Sequence, residues 1–361
     1  MNLRLGRVGK QEALAMGTVA CTAATAFMDG GRLTGVPCAA SILLGAVLAV
    51  LVVTAAACGM RDSGVEDLPE LYARGLGRIP GAAAAVATAA LLCLASTQTL
   101  AGLFGVLNED VYPRADGMSV AAFLIPCMAF LAWKGLETLT RTAKLFFIVL
   151  LLGLGAFLAV TAPAYVAERL YPPFTGEAVL FLQSAFSAAG RLLTAGVALW
   201  ISAKGLHSLK NAVFCIDLSL LCGALVSAGM ALCVGLCFDR SLLSDMTAPY
   251  YRAAMAAGAG GHYLRADKLL LFVWWAAAAL RAAFSAYAAG LLHTRAFGMR
   301  DVRPAAAVYA AFTAALTGAY TAGRETVVKL AETASAFAFL PLMALPLLAA
   351  LCRMLRERRR A

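Results

Sequence analysis

The sequence predicts an all-α membrane protein of about ten transmembrane helices, arranged as a 5+5 inverted repeat. Three observations predict it. The chain of 361 residues is 62% hydrophobic and 14% charged, whereas soluble domains are about 45–50% apolar. Several apolar runs reach ~20 residues, the length of a helix that spans a bilayer. Lys and Arg gather on alternate connections with a bias of about two to one, the pattern that fixes topology.

Spans are expected near Glu12–Met28, Pro37–Met60, Pro80–Leu107, Met118–Trp133, Ala143–Thr161, Val179–Ser202, Asn211–Cys237, Leu269–Leu292, Pro304–Ala322 and Ala331–Leu351. They form one transmembrane domain, residues 1–361, with a first half at 1–161 and a second at 162–361. The basic bias places both termini in the cytoplasm, and no cleavable signal is expected at the start. The formal charge of +10 does not indicate nucleic-acid binding, because the positive residues sit in connections where topology requires them. Leu68, Leu71 and Tyr72, set among Glu66, Asp67 and Glu70, predict a short interfacial helix between the second and third spans. Tyr250 to Ala257 predicts another, lying over the outer mouth.

The first span is weakly apolar. Thr18, Thr22 and Thr25 lie on one of its faces at i, i+4 and i+7. The sixth carries Ala188-Ala189-Gly190-Arg191. An odd number of spans per half inverts the second half, and inverted repeats place a binding site at the midplane between their first helices. Breaks in spans one and six are therefore expected, at the threonines and at Gly190.

Charge inside the spans marks candidate chemistry. Among Lys and Arg, only Arg191 and Arg281 fall deep within predicted spans, Lys144 lying at the edge of the fifth and counting with the connection before it. An arginine at that depth costs at least ~2.5 kcal/mol unless it faces protein, water or a partner. Arg281 reads as a cation pairing with a ligand carboxylate, or as a structural arginine on backbone carbonyls or snorkelling to an interface. Phe284 and Ser285 share its face. Tyr287 closes the pocket floor or packs. Arg191 either holds a carboxylate beside an unwound turn or forms a gate with Glu177 or Asp29. Thr194, one turn away, can donate a hydroxyl. Thr22 and Thr25 read as ligand contacts or as hydroxyls bonded to their own helix. Thr97 and Gln98, midway along span three, read as ligand contacts or interhelical glue. Asp217 is expected at an interface.

No enzyme is expected. His207, His262 and His293 sit at span ends without a metal-ligand pattern, and no phosphate-binding glycine loop is present. No cofactor is implied. The ten cysteines fall mostly in apolar runs and read as packing residues.

Four segments carry a resemblance. These are Gly135-Leu-Glu137-Thr-Leu-Thr-Arg141, Tyr171-Pro172-Pro173-Phe-Thr-Gly176, Met246-Thr-Ala-Pro249 through Arg265-Ala-Asp267 and Trp274, and Phe339-Leu-Pro341-Leu with the basic tail. Together they resemble the B subunit of spore germinant receptors, the GerAB type of endospore germination protein, within the amino acid/polyamine/organocation (APC) transporter superfamily. The sequence departs from that pattern at Pro37-Cys38 and at Thr97-Gln98-Thr99. The resemblance implies a LeuT/APC-like fold in the spore inner membrane or cell membrane. It also implies a small nutrient ligand such as an amino acid, and A-type and lipoprotein C-type partner subunits. Three functions follow as expectations: a germinant-receptor subunit, an APC-type secondary amino-acid transporter on the same pocket, and a membrane scaffold without ligand.

Overall fold

The computed structural model describes residues 8–26, 33–60, 65, 67–111, 117–171, 178–206, 208–244, 246, 248–258, 266–323, 326–327, 329–330, 333 and 337–358. Its elements are helical, and no strand occurs among the described residues. In chain order they are α1 (Lys10–Thr25), α2 (Val36–Cys58), α3 (Leu68–Gly75), α4 (Arg78–Val106), α5 (Gly117–Lys134), α6 (Leu136–Thr161), α7 (Ala178–Ile201), α8 (Leu209–Cys237), α9 (Arg240–Ser244), α10 (Pro249–Gly258), α11 (Ala266–Phe297), α12 (Arg303–Thr321) and α13 (Phe339–Arg358).

Seven described helices are long and apolar enough to cross a membrane: α2, α4, α6, α7, α8, α11 and α13. This is the make-up of a multi-pass membrane protein. Helices also occupy the places of the first, fourth and ninth expected spans, as α1, α5 and α12. The last helix begins at Phe339, later than the expected Ala331, which lies outside the described residues.

The outer surface supports the membrane reading. On α2, Leu43, Val47 and Leu51 are exposed, while Ile42, Ala46, Ala49 and Val53 are buried. On α6, Leu145, Ile148 and Leu152 are exposed. Large aliphatic residues thus form the outside, and small ones let helices approach inside, as expected where lipid is the solvent. All ten cysteines are free thiols.

Two helices form the centre. Every residue of α11 from Ala277 to Leu292 is buried. The helix packs against α1, α4, α5, α6, α7, α10 and α12. α1 is buried from Ala15 to Thr25 and packs against α6, α7, α8 and α11. A helix covered on all sides is a core element. That explains the weak apolarity of α1, which meets protein rather than lipid.

The expected breaks do not occur. α1 is continuous through Thr18, Thr22 and Thr25, and α7 runs unbroken across Gly190. Two of the three threonine protons go to carbonyls of the preceding turn: Thr22 Oγ1 donates to Thr18 O at 2.9 Å, and Thr25 Oγ1 to Cys21 O at 3.1 Å, while the buried Thr18 hydroxyl has no partner among the described residues. This pattern leaves a helix intact. Gly190 serves packing instead. A Cβ there would stand 2.8 Å from the backbone nitrogen of Phe339, where α13 begins.

The two short helices expected from sequence are present, as α3 and α10. α3 is not interfacial in the lipid sense, because its apolar face meets protein. Leu68, Leu71 and Tyr72 are buried, α3 packs on α4 and α13, and the Tyr72 hydroxyl meets Thr88 Oγ1 at 3.1 Å. Gly135 takes a φ of +94° in the turn between α5 and α6, a conformation that favours glycine. Tyr287 packs against that turn.

Candidate functional site

The guanidinium of Arg281 lies in the middle of the bundle. Asp267 and Arg295 mark the two ends of α11, and Arg281 stands midway, about 21 Å from each at the α-helical rise. It is 2% exposed. Nη1 donates to Thr99 Oγ1 on α4 at 2.6 Å, and Nη2 donates to Thr194 Oγ1 on α7 at 2.9 Å. Both hydroxyls pass their own protons onward. Thr99 donates to Ala95 O at 3.2 Å, and Thr194 to Arg191 O at 2.6 Å. Three helices are thereby tied at one point.

The cation is incompletely satisfied. A guanidinium carries five N–H donors, and its Nε has no hydrogen-bond partner. No carboxylate pairs with Arg281 among the described residues. Arg191, half-buried on α7, and Cys21 on α1 lie within electrostatic range of it. Buried charges are ordinarily paired or hydrogen-bonded, and an ionisable residue inside a membrane bundle marks a candidate functional position.

The structure brings some expected residues together and separates others. Arg281 and Thr194 are in contact, and Arg191 is close. Phe284 and Ser285 are buried on the same helix. Thr22 is bonded to its own helix, and Thr25 faces α8, where it meets Ser227 Oγ at 2.5 Å. Thr97 is buried with no partner for its hydroxyl, and Gln98 is half-buried. Gly190 lies at the α7–α13 contact. Asp217 accepts from Thr54 Oγ1 at 3.3 Å. Glu177 and Asp29, the expected gate partners of Arg191, lie outside the described residues, as do His207 and His262. The residue missed from sequence is Thr99. Its signal was the Thr97-Gln98-Thr99 run itself, which placed polarity at mid-span but not on a particular face.

Both ends of α11 are fastened. At its start, Asp267 accepts from the Tyr251 hydroxyl of α10 at 3.3 Å, and Tyr250 packs edge-on to Trp274 with centroids 5.6 Å apart. At its other end, Arg295 donates to Asp67, which caps α3 by accepting from Glu70 N at 3.1 Å. Lys204, just beyond α7, reaches Glu70 at 3.0 Å and Asp67 at 3.9 Å. Asp67 is 0% exposed. Burial pushes its carboxyl above the usual range, and the neighbouring charges of Arg295 and Lys204 oppose that rise. The carboxylate and cation at the ends of α11 match the helix dipole, negative at the start and positive at the finish.

No protein-family model matches the sequence, and no curated protein matches it either.

Proposed function

We propose that this chain is the membrane subunit of a nutrient germinant receptor, holding a small nutrient by its anionic group at Arg281. One observation carries the reading: a guanidinium buried at mid-helix whose Nε has no partner and which no carboxylate of the described residues pairs with. Keeping such a charge costs stability unless a partner arrives. The four segments resembling the GerAB type support assigning that binding to germination, in the spore inner membrane, with A-type and lipoprotein C-type partners. The packing of α1 against α7, and of both against α11, supports ten helices in two inverted halves. The basic bias of the connections supports cytoplasmic termini.

A nutrient bound at Arg281 would join α4, α7 and α11 more tightly. It could then act on the fastenings at either end of α11, through which a partner subunit senses occupancy. Spores carrying Arg281→Gln are expected to lose or sharply reduce their nutrient response while the protein still accumulates in the membrane. An unchanged response at normal protein levels rejects the reading.

Fastening at both ends of α11 around one buried cation also favours a second reading, a secondary transporter. Uptake of labelled solute into vesicles holding the chain alone identifies a transporter; binding without uptake identifies a receptor.

A further inference from the structure

We infer that the α2–α8 face of the bundle docks a transmembrane helix of another protein, one that carries a lysine or arginine at the depth of Asp217. The inference starts from a carboxylate set among lipid-facing side chains and is independent of the reading of Arg281.

Asp217 lies well inside α8, about 12 Å from its first residue, Leu209, at the α-helical rise. Both α8 and its neighbour α2 are long and apolar enough to cross a membrane, and they pack along each other. The face that holds Asp217 is apolar on either side of it. Phe214, at i−3, is exposed, and so are Leu221 and Leu225, at i+4 and i+8. Thr54 of α2, which meets Asp217, is flanked in the same way: Leu51 and Val47, at i−3 and i−7, are exposed. Asp217 itself is half-buried. Its Oδ2 accepts from Thr54 Oγ1 at 3.3 Å, and its Oδ1 has no hydrogen-bond partner.

A carboxylate in that position is costly against lipid. Acidic residues inside membrane spans almost always face the bundle interior or pair with another group. Asp217 stands on the outer face, and one long bond to a hydroxyl is its pairing within the described chain. Polar side chains in membranes find partners across helix–helix contacts, so the α2–α8 face reads as an interface with a single polar anchor in an apolar surround.

Charge selects the occupant. A second copy related by an axis along the membrane normal meets this chain at equal depth, and an interface centred here sets Asp217 against Asp217, an unfavourable like-charge pairing. Lys210 of such a copy would stand about 10.5 Å away along the helix. A different helix with a lysine or arginine at the level of Asp217 supplies the counter-charge directly. Thr54, which donates to Asp217, keeps lone pairs for the same cation.

The test uses the full chain in the membrane of its own host cell. A photo-crosslinking amino acid replaces Phe214 or Leu221, and Ile148, exposed on α6, serves as the control position. One protein adduct is expected from positions 214 and 221 and not from 148, and the crosslinked helix is expected to carry a lysine or arginine. Asp217→Lys is expected to lower the adduct about tenfold at equal levels of the chain, because like charges then face each other. Asp217→Glu is expected to retain it. Reversing the partner's basic residue to Asp is expected to restore the adduct with Asp217→Lys. Where Asp217→Lys does not accumulate, Asp217→Asn keeps the shape and the oxygen toward Thr54, and it too is expected to lower the adduct. Adducts to lipid alone, to a second copy of this chain, or to a helix without a basic residue overturn the proposal. So does an adduct that Asp217→Lys and Asp217→Asn leave unchanged, or one that the reversed pair fails to restore.

Discussion

Arg281 on α11 and Thr194 on α7 are joined by a 2.9 Å hydrogen bond across 87 residues of chain. The bond matters because Thr194 gives its own proton to Arg191 O at 2.6 Å, so its lone pair is oriented toward the guanidinium. Thr99 does the same from α4. The threonines pre-orient acceptors for a cation that α11 would otherwise carry into the bundle without hydrogen bonds.

Removing either acceptor is therefore expected to destabilise the protein. Thr99→Val or Thr194→Val leaves a buried charged donor without its partner, at a cost of about 1.5–3 kcal/mol each. Thr97→Val is the internal control. Its hydroxyl is buried and has no partner, so replacing it by an apolar group of the same shape is expected to be neutral or stabilising. Unfolding in detergent measures all three. Equal effects at positions 97 and 99 contradict the register given to α4.

Asp67 leads to a pH prediction. Its folded-state pKa is raised by burial against the pull of Arg295 and Lys204. A carboxyl raised above its unfolded value of about 3.9 favours folding when protonated. That contribution is fully present below the unfolded pKa and is lost as pH rises through the folded one. Asp67→Asn cannot titrate. The wild-type melting temperature is thus expected to fall more steeply than the variant's as the pH rises above about 4. Parallel curves contradict it.

Much of this architecture was legible in the sequence because hydrophobic runs mark helices directly. The short helix expected at Tyr250 to Ala257 is α10, Pro249–Gly258. Arg281 stood out by the cost of its charge. The partners did not. In an apolar helix such as α4 no polar face fixes the register, so Thr97 and Thr99 were equivalent until packing separated them. The pairing of Asp67 with Arg295 spans 228 residues, and no local pattern encodes it. Threonine stripes and Gly190 read as breaks because the sequence shows composition, not neighbours. The carbonyls of the preceding turn and the start of α13 decided otherwise.

Gly190 and Gly155 separate packing from helix propensity. A Cβ at Gly190 would crowd the Phe339 backbone at 2.8 Å, whereas one at Gly155 on α6 meets nothing within 4 Å. Gly190→Ala is expected to lower stability by about 1–3 kcal/mol, the usual cost of overpacking. Gly155→Ala is expected to be neutral or to raise stability by up to about 1 kcal/mol, the helix propensity difference. Thermal unfolding checks both. A benign Gly190→Ala restores the case for an unwound turn in α7.

Thr25 separates the two roles a buried hydroxyl can play. It lies on α1, where a ligand contact was expected, yet it meets Ser227 on α8 at 2.5 Å and its own helix at Cys21 O. An interhelical hydrogen bond inside a membrane contributes about 0.6 kcal/mol on average and up to about 1.7. A double-mutant cycle of Thr25→Val and Ser227→Ala is expected to return a coupling of that size. Ligand-dependent stabilisation is expected to stay unchanged in Thr25→Val, because nothing joins this hydroxyl to Arg281. The same substitution at Thr194 is expected to reduce it. If Thr25→Val weakens the ligand response as much as Thr194→Val does, the binding site extends along α1 and the guanidinium is one contact among several.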